Sequence, residues 1–504
     1  MEQQEKELEL AVSQKETVDV NNGGVMEWTK EEELKMRWKL DRRIVPLSFL
    51  FYMLCFVDRL NSNARISGMA EDLNLSGYRF NIALTVFYIS CKYTQTSYHI
   101  LVEIPSNMLL KIIGGRYYIP TLVFLFGTIS VATAFVQNYA GLIACRFFLG
   151  LVEGGVAPAI VYYMSIFYRR TELAFRVTMF ITGASMAGAF GGLLATALTL
   201  IPRWGASSAP LHTWRNIFFF EGLVTMLVAS LGVCFLPDSP STARFLSDRH
   251  RTIASRRIAD EYKEESDESG KGVRARHVKK AVMSVSTNLS ALMFFFLSVN
   301  LSSISLFLPT ILRALGYSAV QAQLRSVAPY VSACVVSIFV SWCSDRFRRR
   351  GVFIASATLL GTAGYGVLIG TDTGQNAAKY AAVFVAAMGV FAAGPASVSW
   401  GVNNAAGASV RSVTSAYIIS LGNCGSVVAT WTYLPESAPR YTLGHALNLG
   451  ALACAFLLAV SAVAYYRWEN KKRDRGERDH RLTGLTDQQQ KDLGSSHPEF
   501  RYIP

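Results

Sequence analysis

"RHRTIASRRIADEYKEESDESGKGVRARHVKK", residues 249–280, is a long charged stretch in an apolar chain, and the fold turns on what it separates. On each side lie apolar runs of about 20 residues, the length that crosses a hydrocarbon core about 30 Å thick. Six precede it, over 44–68, 82–114, 118–137, 139–166, 174–200 and 215–236. Six follow, over 284–310, 324–344, 352–371, 378–400, 411–433 and 443–466. The expectation is an all-α polytopic membrane protein, twelve transmembrane helices in two pseudo-symmetric six-helix bundles. Its parts are an N-terminal tail (1–43), an N-terminal bundle (44–236), a central loop (237–283), a C-terminal bundle (284–466) and a C-terminal tail (467–504).

Composition agrees. Of 504 residues, 51% are apolar and only 17% charged, and mean hydropathy is positive, outside the balance of a soluble enzyme. The first 43 residues contain no apolar stretch, so no cleavable signal peptide is expected. A net charge of +13 raises nucleic acid as a partner, but the basic residues are sorted by loop, which a polynucleotide site does not require. Eight Lys and Arg lie in residues 1–43, eleven in the central loop and nine after Tyr466; with the even-numbered loops, 38 of 49 fall on one side. The positive-inside rule then puts both termini in the cytoplasm and makes the lipid bilayer, not nucleic acid, the partner. A multi-pass protein of the plasma membrane, acting as a monomer, is expected. The eight cysteines are scattered singly with no CxxC, which indicates neither disulfides nor a metal site. No P-loop, HExxH or GxSxG is present, which disfavours an ATP-driven pump or a hydrolase. No enzyme activity and no cofactor are expected.

The two halves carry a weak internal repeat after their second spans. "NMLLKIIGGRYY" (107–118) contains Lys111 and Arg116; "SWCSDRFRRRG" (341–351) contains Asp345 and Arg346. An acid at a helix end beside basic residues can pair with neighbouring helices and hold a gate shut. Plain positive-inside anchoring is the alternative.

Charge inside the spans is the most informative feature, because a lone Asp, Lys or Arg at mid-bilayer costs about 2.5–3.5 kcal/mol on insertion scales. Asp58 and Arg59 sit well inside the first span. A guanidinium there matches a carboxylate with a fixed fork of donors, and the adjacent acid can hold or release a proton; snorkelling of Arg59 to the surface is the other reading. Arg146 and Glu153 lie seven residues apart in the fourth span, two turns, hence on one helix face. Both should face one cavity, or form a structural ion pair. Asn300, Tyr330 and Asn423 are candidate substrate contacts, against the alternative of polar helix glue. Glu103 and Glu221 are candidate gating or coupling acids, against satisfied structural ones.

The motifs "FVDRLNSNARISG" (56–68), "NIALTVFYIS" (81–90), "LVEIPSN" (101–107), "CRFFLGLVEGGVAPAIVYY" (145–163), "AGAFGGLLA" (187–195), "LPDSPSTARFL" (236–246) and "GNCGSVVATWTYLPESAPRYTLGH" (422–445) resemble those of the anion:cation symporter branch of the major facilitator superfamily. The resemblance is closest to its fungal allantoate, nicotinate and pantothenate permeases, runs over residues 40–470, and extends to the tail "HPEFRYIP" (497–504). It implies anion binding by Arg59 and Arg146 and proton coupling through Asp58 and Glu153. Ala187-Gly188 stands where antiporters of the superfamily often carry Gly-Pro, which points toward symport.

One stretch departs from the pattern. Cys91 to His99 ("CKYTQTSYH") inserts nine polar-leaning residues where relatives of this kind have about one. Eight extra residues amount to about 12 Å of helix. Outward extension of the helix, local unwinding, and a translated remnant of non-coding sequence are the three readings.

The expected activity is proton-coupled import of a small carboxylate-bearing organic anion, a vitamin or nitrogen source, by alternating access, with the proton gradient as driving force. Efflux of a secondary metabolite on the same fold is the alternative. A non-transporting sensor is disfavoured by the short basic tail.

Overall fold

The structure is a computed structural model, and it describes residues 28–504 except 60–61, 98–112, 206–209, 270–274, 348, 373, 407, 485–489 and 491–492. Among the described residues, twelve helices of 19 residues or more fall on the expected spans, the second of which (82–114) is described as helix only to Ser97, with two further helices in the central loop. The first six are α1 (Lys30–Arg59), α2 (Arg79–Ser97), α3 (Gly115–Ala134), α4 (Tyr139–Phe167), α5 (Arg170–Thr199) and α6 (Thr213–Phe235). The loop holds α7 (Asp248–Ser269) and α8 (Ala275–Met283). The last six are α9 (Val285–Ala314), α10 (Ala319–Phe347), α11 (Arg350–Gly370), α12 (Asn376–Asn403), α13 (Ala408–Ala429) and α14 (Thr442–Asp474). Among the described residues eight helices are long and apolar enough to cross a membrane, and three shorter apolar segments lie in α2, α5 and α13.

The buried apolar residues divide into two cores. One gathers Phe51, Phe87, Phe126, Tyr163 and Trp214 of the first six helices; the other gathers Leu297, Ile354, Val390, Trp400 and Leu452 of the last six. Each core lies mainly in one bundle, but Leu306, Phe307, Ile311, Tyr433 and Tyr441 of the second half join the first core and Ile66 and Ala189 of the first half join the second, so the bundles also share apolar contacts. Small residues set the distances inside them. A Cβ on Gly389 of α12 would lie 2.3 Å from the backbone nitrogen of Gly361 and 2.5 Å from the carbonyl of Ala357, so α11 and α12 touch backbone to backbone.

The first span, expected over 44–68, is not one straight helix. α1 is described from Lys30, rather than Ile44, to Arg59; 60–61 lie outside the described residues, and helix is described again from Ser62. The chain kinks at Ser67 and Gly68, where Ser67 has φ −98° and ψ 20° and Gly68 has φ 106°. Asn and Ser compete for backbone groups, and the Ser67 hydroxyl donates to the Asn63 carbonyl at 2.7 Å. Glycine is what permits the positive φ.

The bundles meet through polar contacts at the end of the molecule away from the termini. Arg313, at the end of α9, donates to the Ile66 carbonyl at 2.8 Å. The Gln323 amide of α10 donates to Ser67 Oγ at 2.9 Å and to the Asn63 carbonyl at 3.3 Å. Its oxygen accepts from Thr196 of α5 at 3.1 Å. Beside them, Asn81 of α2 donates to the Thr430 carbonyl at 2.5 Å and Trp431 Nε1 to Thr85 Oγ1 at 3.0 Å. Towards the other end α10 leaves Val335, Ile338, Phe339 and Trp342 exposed.

Two charged segments that hydropathy leaves as loop and tail pack onto the bundles. Arg257 of α7 is fully buried, its guanidinium donating to Glu33 of α1 at 3.0 Å, to both carboxylate oxygens of Glu172 of α5 at 3.0 and 2.9 Å, and to the Phe167 carbonyl at 3.1 Å. Arg37 adds a 2.8 Å bond to Glu172. Burial pushes the Glu172 carboxyl up, but the arginines outweigh it and hold the group below its ordinary value of 4.5. A lowered folded value means this contribution is present above about pH 4.5 and lost as pH falls through the folded value. Glu172→Gln is expected to weaken α7 docking at neutral pH by about 1.5–3 kcal/mol, read as faster amide hydrogen exchange over residues 248–269. Wild-type protein should show the same acceleration only under acid; unchanged exchange in the variant would contradict the clamp.

The C-terminal tail returns to the same end. Asn404 donates to the Ile503 carbonyl at 3.1 Å and accepts from its N–H at 2.8 Å, while Asn470 does the same for Tyr502 at 2.8 and 2.9 Å. Trp400 Nε1 donates to the Ile503 carbonyl at 2.7 Å. Buried Arg473 donates to the carbonyls of Ser495, His497 and Phe500, and the Tyr502 ring stacks on Tyr466 at 5.0 Å.

Candidate functional site

The last described turn of α1 lies in the interior of the N-terminal bundle. Asp58, near that end, is 3% exposed, and its Oδ1 accepts from Ser130 of α3 at 2.7 Å. Its Oδ2 has no hydrogen-bond partner among the described residues. A small hollow of about 10 Å³, barely room for one water, opens beside it, lined by Val57, Asp58, Asn63, Ala64, Ile217, Phe218 and Glu221.

Arg146 and Glu153 of α4, expected to face one cavity, do not themselves line this hollow. Arg146 and Glu153 are both buried, 4% and 5% exposed, and both lie within coulombic range of the Asp58 carboxylate. The Arg146 guanidinium sits 5.4 Å from the centre of the Phe218 ring, whose residue also lines the hollow. Such a contact is worth up to about 2 kcal/mol when desolvated. α4 comes this close to α2 because Gly150 has no side chain, a Cβ there meeting Ser90 Oγ at 2.2 Å and the Phe87 carbonyl at 2.4 Å. Asp58, Arg146 and Glu153 are therefore gathered from two helices. Arg59 is the last described residue of α1, and its side chain lies outside the described residues.

The remaining candidates lie elsewhere. Asn300 of α9 is fully buried and donates to the Phe296 carbonyl of its own helix at 3.2 Å. Tyr330 of α10 donates to the Ile304 carbonyl at 3.3 Å and packs on Gly188 of α5, where a Cβ would lie 2.7 Å from the ring. It is thus a contact between the bundles. Asn423 is half-buried on α13. None of the three lines the hollow beside Asp58.

Of the gating candidates, Arg116 donates from Nε to the Val233 carbonyl at 2.7 Å and from its backbone N–H to Asp238 at 3.3 Å, tying the start of α3 to the end of α6 within one bundle. Arg346 is exposed at the end of α10. Glu103, Lys111 and the Asp345 side chain lie outside the described residues. Of the inserted stretch, residues up to Ser97 continue α2 as helix; 98–99 lie outside the described residues.

Residues that sequence reasoning passed over complete the site. Ser130 anchors Asp58, and Asn63 joins it at the hollow. Glu221, named only as a weaker candidate, is 5% exposed and lines the same hollow.

Known proteins share this architecture. Two solved structures superpose with a TM-score of 0.60 at 14% identity. One is a bacterial homologue of the human lysosomal transporter Spinster in an inward-facing, occupied conformation, covering 84% of this chain and 96% of that one. The other is the xylose transporter XylE of E. coli in a partially occluded inward-open conformation, covering 82% and 96%. The MFS transporter prlL of Fungal sp. (strain NRRL 50135) is 34% identical over 476 residues, 90% of this chain and 92% of the relative. The high-affinity nicotinic acid transporter of Saccharomyces cerevisiae is 27% identical over 502 residues, 99% and 90%. With the family profile matching residues 47–430, this multi-pass membrane chain belongs to the Major Facilitator Superfamily and is a transporter, not an enzyme.

Proposed function

We propose that the protein imports a small carboxylate-bearing organic anion, of the nicotinate, pantothenate or allantoate class, together with protons. The observation that carries this reading is the buried guanidinium of Arg146 in coulombic range of buried Asp58, next to a hollow in the N-terminal bundle. A cation in a low-dielectric interior favours an anionic solute. The resemblance of Arg59 to an anion-binding residue, and the name of the nicotinic acid transporter among the relatives, support the class.

An inside-negative potential opposes an entering monoanion by about 2.3 kcal/mol per 100 mV. At least one proton must offset that charge, and Asp58 and Glu153 are the acids assigned to carry it. No other cofactor enters the cycle, and a single chain holds the whole site.

With both termini in the cytosol, the latch of Arg313 and Gln323 on the kinked first span closes the outer end. Alternating access then requires those bonds to part as the bundles rock. Cells lacking the transporter and re-expressing it should take up labelled nicotinate, pantothenate or allantoate faster at acid pH. Arg59→Ala should lose at least tenfold, the loss of one charge-assisted contact of about 1.4 kcal/mol or more. Accumulation in the deleted cells, reversed on re-expression, would instead assign efflux.

A further inference from the structure

The hollow beside Asp58 is rich in acceptors. Asp58 Oδ2 and Asn63 Oδ1 are buried without hydrogen-bond partners among the described residues, in side chains 3% and 4% exposed. Both residues line the hollow together with Glu221 of α6, whose carboxylate is in coulombic range of Asp58. Among the described residues, the other ionisable groups in coulombic range of Asp58 are Arg146 and Glu153 of α4, and α3 contributes the Ser130 hydroxyl. Asp58 thus stands among two further carboxylates and one described guanidinium.

Like charges in a low-dielectric interior repel, and buried acceptors without donors are costly. A single proton relieves both at once, because it removes a charge and turns one acceptor into a donor. A hydroxyl formed on either carboxyl can donate across the hollow, and the Asn63 carbonyl is an acceptor already in place.

We propose that Asp58 and Glu221 form a shared proton site, which makes Glu221 a coupling acid beside Asp58. Loading forms one O–H bond at the pair with a proton taken from hydronium in the water reaching the hollow. Unloading returns that proton to water on the other side, and no electrons move. The proposal deepens the proton-coupled reading, and its test is independent of substrate.

The test uses purified full-length protein in detergent without added substrate. Its thermal midpoint is followed from acid to alkaline pH in choline chloride and again in sodium chloride at equal ionic strength. The wild-type midpoint should fall as pH rises, because raising pH strips the shared proton and leaves two buried charges together. Glu221→Gln and Asp58→Asn should each flatten that slope by about twofold or more, since the partner acid then titrates alone. Should one variant fail to fold, the other decides, and so does the infrared C=O band of a protonated carboxyl. That band should vanish on alkalinisation of wild type, and in the variant it should vanish at a lower pH because the like charge beside the remaining acid is gone. A wild-type slope in both variants would overturn the proposal. So would a midpoint raised by sodium over choline, which would assign a metal cation. Loss of uptake of every tested anion with the titration intact would sink the anion-import reading and leave the proton site standing.

Discussion

Replacing Arg146 with alanine is expected to abolish transport and to lower the stability of the folded chain by about 3–5 kcal/mol, the usual cost of removing one partner from a buried charge cluster. The side chain is 4% exposed and lies over Phe218, with Asp58 and Glu153 in coulombic range. Its removal leaves the acids without that compensation and empties the space beside the hollow. Arg146→Lys restores charge but not the planar fork, so it should recover most of the thermal midpoint and little of the uptake. The measurement is midpoint in detergent alongside uptake normalised to surface expression. An alanine variant with an unchanged midpoint would show that the guanidinium is not part of the buried cluster.

The second large effect lies far from the chemistry. Gly389→Ala adds one carbon where the backbone of α11 already stands at 2.3 and 2.5 Å, and neither atom belongs to a side chain that can turn away. The helices must separate along their length. Overpacking of this kind costs about 1–3 kcal/mol or more. Gly361→Ala, on the facing helix, is the control: its added carbon first meets Leu452 Cδ1 at 3.0 Å, the end of a flexible side chain. The midpoint should drop sharply for the first variant and little for the second. Equal drops would mean the two helices are not seated as described.

The spans were legible because a bilayer imposes length and polarity on every crossing segment. The α4 face was legible because a seven-residue spacing fixes direction on a helix, and Asp58 because a charge in an apolar run is rare enough to mean something. Ser130 was not. A serine in "FGTISVATA" is indistinguishable from any small residue packing one helix on another until Asp58 is brought to 2.7 Å of it. Gln323 and Arg313 escaped for a related reason: their acceptors are backbone carbonyls some 250 residues away, beside a kink at Ser67–Gly68 that hydropathy averages over. The helix α7 was hidden by its own charge. Its buried arginine finds Glu172 and Glu33 at sequence separations of 85 and 224, and nothing local announces such partners.

The docked tail has a consequence for how the protein matures. The residues that occupy the seat on Asn404, Asn470 and Arg473 leave the ribosome after all twelve spans, so insertion is finished while those amides and that guanidinium are still vacant. A product shortened by a late frameshift would therefore be inserted and yet carry an exposed polar socket at the end of the bundles where the tail docks. Cellular surveillance would have a handle by which to tell the two apart.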